Sequence, residues 1–141
     1  MLLSKLAAST PQLVLEQCIW AIGNIAGDST ACRDRLLHLS ALQLLVPFVG
    51  AEQALSVRRN STWAISNLCR GDQPRPAQEF TAPVIPILAN LLTCDDWCVK
   101  SDACWALGYL FGDAQQRSTI LEAGICAATV AMLMSQHRTA K

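Results

Sequence analysis

Charge is scarce in this chain and neither sign leads: eleven Lys plus Arg meet eleven Asp plus Glu, together 16% of 141 residues. No net field draws such a chain to nucleic acid or to an acidic lipid surface, so any electrostatic function is local. Histidine is rarer still, with His38 and His137 far apart in sequence. Cys94 and Cys98 lack a second ligand pair at zinc spacing, and no phosphate-cradling glycine loop occurs, so the reading is no enzyme, no metal and no cofactor. No apolar run is long enough to cross a bilayer, and the opening MLLSKLAAS is short and interrupted by Lys5, so neither a membrane partner nor a signal peptide is expected. The seven cysteines are odd in number and scattered through apolar words, which favours a reducing compartment over a secreted one. Cys18, Cys69 and Cys104 fall close to tryptophans, where a small apolar filler suits a packed helix.

What is present is apolar and periodic. Hydrophobic residues make up 52% of the chain, which argues against disorder. Three of the four tryptophans, Trp20, Trp63 and Trp105, recur at intervals of 43 and 42 residues within near copies of one word: CIWAIGNIAGD, STWAISNLCRG and ACWALGYLFGD. A period in the range of roughly 40 to 47 residues marks a solenoid of stacked helical units, of the armadillo or HEAT kind. Aligned on the tryptophans, Ile22, Ile65 and Leu107 stand at plus two and Ile25, Leu68 and Leu110 at plus five, and these are expected in the core.

Inner helices are expected near 11–27, 56–69 and 97–111. The first starts at Pro11, with Ser9 or Thr10 as a cap. Short helices are expected at 28–39, 41–48, 84–92, 114–122 and 125–134, with 71–80, which carries Pro74 and Pro76, as an extended connector. Three helices per unit is the armadillo pattern rather than the two of HEAT. The expectation is an all-α, right-handed superhelical armadillo solenoid of about three units, forming a single array over 1–141. It is clipped at both ends, so that a longer array is expected to cover its apolar ends. Trp97 stands outside the ladder and is expected either to staple the start of the third inner helix or to anchor a neighbour.

On a helix, positions three before and four after a residue share its face. Those faces read Gln17, Trp20, Asn24; then Asn60, Trp63, Asn67; then Asp102, Trp105, Tyr109. A dry core would leave such amides unsatisfied at about 1 to 3 kcal/mol each, so the row is expected on a surface groove. An asparagine amide can donate to a carbonyl and accept from an N–H, and a row of them can hold an extended peptide by its main chain. Indole faces between them make slots for aliphatic stems and attract a cation by about 0.5 to 2 kcal/mol. Asp28, Asp72 and Asp113, eight or nine residues after their tryptophans, could meet an ammonium or guanidinium, or could simply be solvated turns or caps.

The words EQCIWAIGNIAGD with CRDRLL, then RRNSTWAISNLCRG, then SDACWALGYL closely resemble successive armadillo repeats of the importin-α family, adaptors that recognise basic nuclear localisation signals. By register the chain resembles the third to fifth repeats. The resemblance implies a nuclear import role in cytoplasm and nucleus, with Trp20 and Asn24, Trp63 and Asn67, and Asn60 lining the signal groove. It also implies Asp28 as receiver of the key lysine, and Asp102, Trp105 and Tyr109 match the next unit. Three features of the family have no counterpart: the preceding Trp and Asn pair, the later repeats of a second signal site, and the basic amino-terminal arm that engages importin-β. Importin-β is therefore an expected partner only if a longer chain supplies that arm. Cys98 stands where relatives commonly carry an acid. The rival reading is a non-transport armadillo scaffold, which would line its groove with Lys and Arg. Arg58, Arg59 and Arg70 are the residues that would serve it.

Overall fold

The computed structural model describes residues 11–71 and 74–136, with side chains as far as 134. Ser9, Thr10, Asp72, His137 and the opening MLL lie outside the described residues. The elements in chain order are α1 (Gln12–Asp28), α2 (Thr30–His38), α3 (Ala41–Leu45) running into a 3-10 turn (Val46–Phe48), α4 (Leu55–Cys69), α5 (Gln78–Thr81) with a 3-10 turn (Ala82–Val84), α6 (Ile85–Leu91), α7 (Trp97–Phe111), α8 (Arg117–Glu122) and α9 (Ile125–Gln136). All are helical; among the described residues there is no strand.

Local chemistry sets the boundaries. Pro11 is the N-cap of α1 (φ −51°, ψ 135°) rather than its first helical residue. Ser29 ends α1 and starts α2, its Oγ accepting from the Cys32 N–H at 3.2 Å. Asp96 caps α7 by accepting from the Val99 N–H at 3.0 Å. Trp97 is thus the first residue inside α7, not a staple ahead of the cap. Its ring is exposed and carries the Lys100 ammonium 4.7 Å from its centre. The expected extended connector is shorter than the proline pair suggests, because α5 begins at Gln78. Pro83 and Pro86 then sit at the starts of helical turns, where a missing N–H removes no hydrogen bond. The helix expected from 114 begins only at Arg117. Asp113 accepts from the Gln115 N–H at 2.9 Å and holds the intervening residues in a turn, so Asp113 is a turn-former.

The stack is built on α1, α4 and α7. The most extensive contacts in the molecule run between α1 and α4 and between α4 and α7, while α2, α3, α5 and α6 cover their other side. Val57, Ala64, Ile65 and Leu68 of α4 and Val99, Ala103, Ala106 and Leu107 of α7 form the continuous core. Cys69 lies in it, and burial pushes its thiol up to about 12, against the nearby Arg33 charge, which pulls the other way. Ile25 departs from its expected core place: it is exposed, and Ile22 is half-buried, because α1 is packed by α4 on one flank only.

The seam between α1 and α4 is narrow because small residues admit large ones. The Trp63 ring lies directly over Gly23, so that a methyl group there would overlap the indole. One turn on, Asn67 lies over Gly27, and its Nδ2 donates to the Gly23 carbonyl at 3.0 Å.

A second clasp ties α2 to the connector after α4. Arg33 is buried, and its guanidinium donates to the carbonyls of Arg70 (2.6 Å) and Pro74 (2.9 Å) and to Asp34 Oδ1 (2.7 and 2.9 Å). Gly71, at φ +128°, passes beneath it where a side chain would collide with Arg33 Nη1.

Candidate functional site

Equivalent positions on three helices that lie side by side form one row. Trp20 and Trp105 are 53% and 60% exposed, values at which an indole is not part of a core. Trp63 differs: it is half-buried, with one face on Gly23 and the other edge open. Trp105 stacks on Tyr109, their ring centres 5.7 Å apart, so the third unit presents a paired aromatic plate.

The amides are not equivalent either. Asn24 is exposed, its Nδ2 donating to the Trp20 carbonyl of its own helix at 3.2 Å. Asn67 spends one N–H on α1, while Asn60 is half-buried with no hydrogen bond among the described residues. Among the described residues none donates to the side-chain carbonyl oxygen of any of the three, which is left as an acceptor. Asn67 is therefore both a seam residue and a row residue, a dual role that equal spacing could not reveal.

Two carboxylates flank the row. Asp28 ends α1, is exposed, and among the described residues accepts only a long contact from Cys32 Sγ at 3.7 Å. It borders a cleft of about 190 Å³ that also touches Gly27, Ser29, Arg33, Arg70 and Gly71. Asp102 is half-buried on α7 and makes no hydrogen bond or ion pair among the described residues. Burial pushes its carboxyl above the usual carboxylate range. An unpaired carboxylate at a half-dry position favours an incoming cation. By contrast Arg59 is spoken for: its Nε reaches both oxygens of Asp96 at 3.2 Å and one Nη reaches Oδ2 at 2.6 Å. The Arg59 bonds, and then the Val99 N–H, hold the Asp96 carboxyl at about 2. Arg59 is thus neutralised as a groove cation, which removes one support of the scaffold reading.

Asp102 carries a sign that can be checked. Its native pKa is raised above the unfolded value of about 3.9, so ionisation costs the folded state stability as pH rises through that interval. Replacing Asp102 by Asn is expected to stabilise the chain at pH 7 by less than about 1 kcal/mol, given the half-open setting. The gain should shrink towards pH 3. Thermal melts of both proteins across this range check it, and an advantage that grows on acidification contradicts the assignment.

Asp72 lies outside the described residues. Among the described residues no group of three or more His, Cys, Asp or Glu is placed to hold a metal ion, and no helix is long and apolar enough to cross a membrane.

Stacked three-helix units, with Trp63 seated over Gly23 where the first two meet, define an armadillo-repeat array, and residues 29–70 match the model of the armadillo/beta-catenin-like repeat. The chain is 43% identical over 122 residues to importin subunit alpha-6 of Arabidopsis thaliana, covering 86% of the chain and 22% of that protein. It is 44% identical over 131 residues to importin subunit alpha-1a of Oryza sativa subsp. japonica, covering 92% of the chain and 25% of that protein. Among solved structures, a designed armadillo repeat protein in complex with the peptide (KR)4 superposes with a TM-score of 0.77 at 26% identity, over 93% of this chain and 55% of that one. The chain is an armadillo-repeat array similar in sequence to importin alpha subunits, and it spans about a quarter of the length of these relatives.

Proposed function

We propose that the chain acts in nuclear import as an adaptor surface, moving between cytoplasm and nucleus, and binds basic nuclear localisation signal peptides along the row Trp20, Asn24, Asn60, Trp63, Asn67, Trp105 and Tyr109. The observation that carries this reading is the pair of half-open indoles at equivalent positions, flanked by Asp28 and by the unpaired Asp102. The likeness to importin alpha subunits and to an armadillo array bound to (KR)4 supports it. Peptide carbonyls and N–H groups meet the asparagine amides, and lysine stems lie between indole faces with their ammonium groups towards Asp28 and Asp102. Each exposed ion pair contributes about 0 to 1 kcal/mol, so the indole slots supply most of the affinity.

The test is fluorescence polarisation of a labelled (KR)4 peptide. Trp63 and Asn67 are poor targets because both also hold the seam to α1. Trp20 and Asn24 are better, because neither side chain bonds to another helix. Trp20→Ala with Asn24→Ala is expected to weaken binding at least about ten-fold, roughly 1.4 kcal/mol. Asp28→Lys is expected to weaken it and to flatten its salt dependence. An affinity untouched by both changes in folded protein contradicts the proposal.

A further inference from the structure

Between the turn that leads into α4 and the turn that leads into α7, in the middle of the array, lies a cleft in two halves. The apolar half, about 390 Å³, is walled by Val46, Val49, Ile87 and Leu91, and the polar half, about 400 Å³, is bordered by Leu55, Asp95 and Asp96. Ala51, Arg58 and Cys94 border both, so the halves meet at Arg58. Arg58 precedes Trp63 by five residues, which turns it about 140° around α4 from the indole. The cleft is therefore separate from the row.

The cations around Arg58 are engaged. Arg33 is held by two carbonyls and Asp34, Arg59 by Asp96, and Lys100, which has the place of Arg58 in the next unit, by the Trp97 ring. Arg58 differs from them. It is half-buried, its Nε is shut off from solvent, and among the described residues no acceptor reaches its guanidinium. Folded chains pair such buried donors, because desolvating a charged group without an acceptor is costly. A guanidinium in this state, between apolar walls, is equipped to receive an anion.

The neighbouring carboxylates decide which anion. Asp96 is already held by Arg59 and by the Val99 N–H. Asp95 is exposed and makes no hydrogen bond or ion pair among the described residues. A phosphate of nearly two charges would meet that like charge with one cation to offset it. A carboxylate brings a single charge, matches the guanidinium fork with two parallel N–H···O bonds, and leaves the apolar half for an aliphatic side chain. We propose that this cleft binds an acidic segment of a partner protein, one aspartate or glutamate on Arg58 and a neighbouring aliphatic residue against Val46, Val49, Ile87 and Leu91. Its charge preference is opposite to that of the row, and the two sites can be filled together.

Fluorescence polarisation of a labelled peptide of alternating glutamate and leucine, (EL)4, blocked at both ends, tests this. The unaltered chain is expected to bind it at least about ten times more tightly than the uncharged (QL)4. Arg58→Gln, its fold checked by circular dichroism, should remove that preference and leave (KR)4 binding as it was. Ala51→Glu supplies a second arm should Arg58→Gln not fold: Ala51 is exposed and borders both halves, so the new carboxylate takes Arg58 in place of the peptide. It should abolish the same preference. The proposal is overturned if the unaltered chain binds (EL)4 and (QL)4 alike, if a folded variant keeps the preference, or if Arg58→Gln weakens (KR)4 as much as (EL)4, which would place Arg58 in the row. Tighter binding of a serine and leucine peptide, (SL)4, phosphorylated on every serine would overturn the choice of a carboxylate in favour of a phosphopeptide.

Discussion

Replacing Arg33 by methionine will destabilise the array by about 2 to 4 kcal/mol and lower its melting midpoint by roughly 5 to 15 °C. Exchanging a buried ion pair for apolar groups is often neutral, but only when every partner is exchanged as well. Here two of the partners are main-chain carbonyls, Arg70 and Pro74, which no side-chain substitution removes. Each would remain in place without its donor, at about 1 to 3 kcal/mol. Asp34 adds little, since at 39% side-chain exposure it can be rehydrated. Differential scanning fluorimetry measures the shift. Limited proteolysis should locate the loosening at 70–77. A melt within a degree of the parent would mean that the connector finds other donors.

The second large effect is a change of sign between two glycines in the same register. Gly23→Ala drives a methyl group into the Trp63 ring and widens the α1–α4 seam, which should cost about 1 to 3 kcal/mol as overpacking does. Gly108→Ala fills empty space on a helix, and should stabilise by about 0.5 to 1 kcal/mol because alanine loses less backbone entropy. Urea unfolding of the two variants beside the parent gives both signs in one experiment. Two changes of the same sign would show that the tryptophan-over-glycine seam does not control packing.

The large-scale order was legible because the tryptophan words repeat: the inner helices were expected at 11–27, 56–69 and 97–111 and lie at 12–28, 55–69 and 97–111. Sequence equivalence failed where neighbours differ. Trp20 and Trp63 occupy one register position, yet only Trp63 has a helix beneath it, and Ile25 was expected in the core by analogy with Leu68, whose covering unit it lacks. Arg33 went unrecognised because its partners lie 37 and 41 residues away and are carbonyls, which no residue pattern announces. The sequence shows only a glycine at 71; that it is pinned, with a positive φ and Arg33 close above it, emerges in the fold. Residues Gln78–Thr81 were concealed as a helix by the prolines before them, which end one element but equally well introduce another.

Cys69 gives the middle of this stack a chemical clock. Its thiol sits at the end of α4, is fully buried within reach of the Arg33 charge, and has its ionisation pushed up to about 12, so the reactive thiolate is absent near neutral pH while the seam around it is closed. Cys18, Cys98 and Cys126 are exposed to a thiol reagent from the start. In a chain whose units touch only their neighbours, fraying at either end leaves that seam intact. The arrival of the last label, at Cys69, after those at the half-buried Cys32, Cys94 and Cys104, therefore times the parting of that seam, and distinguishes a stack that peels from its ends from one that opens all at once.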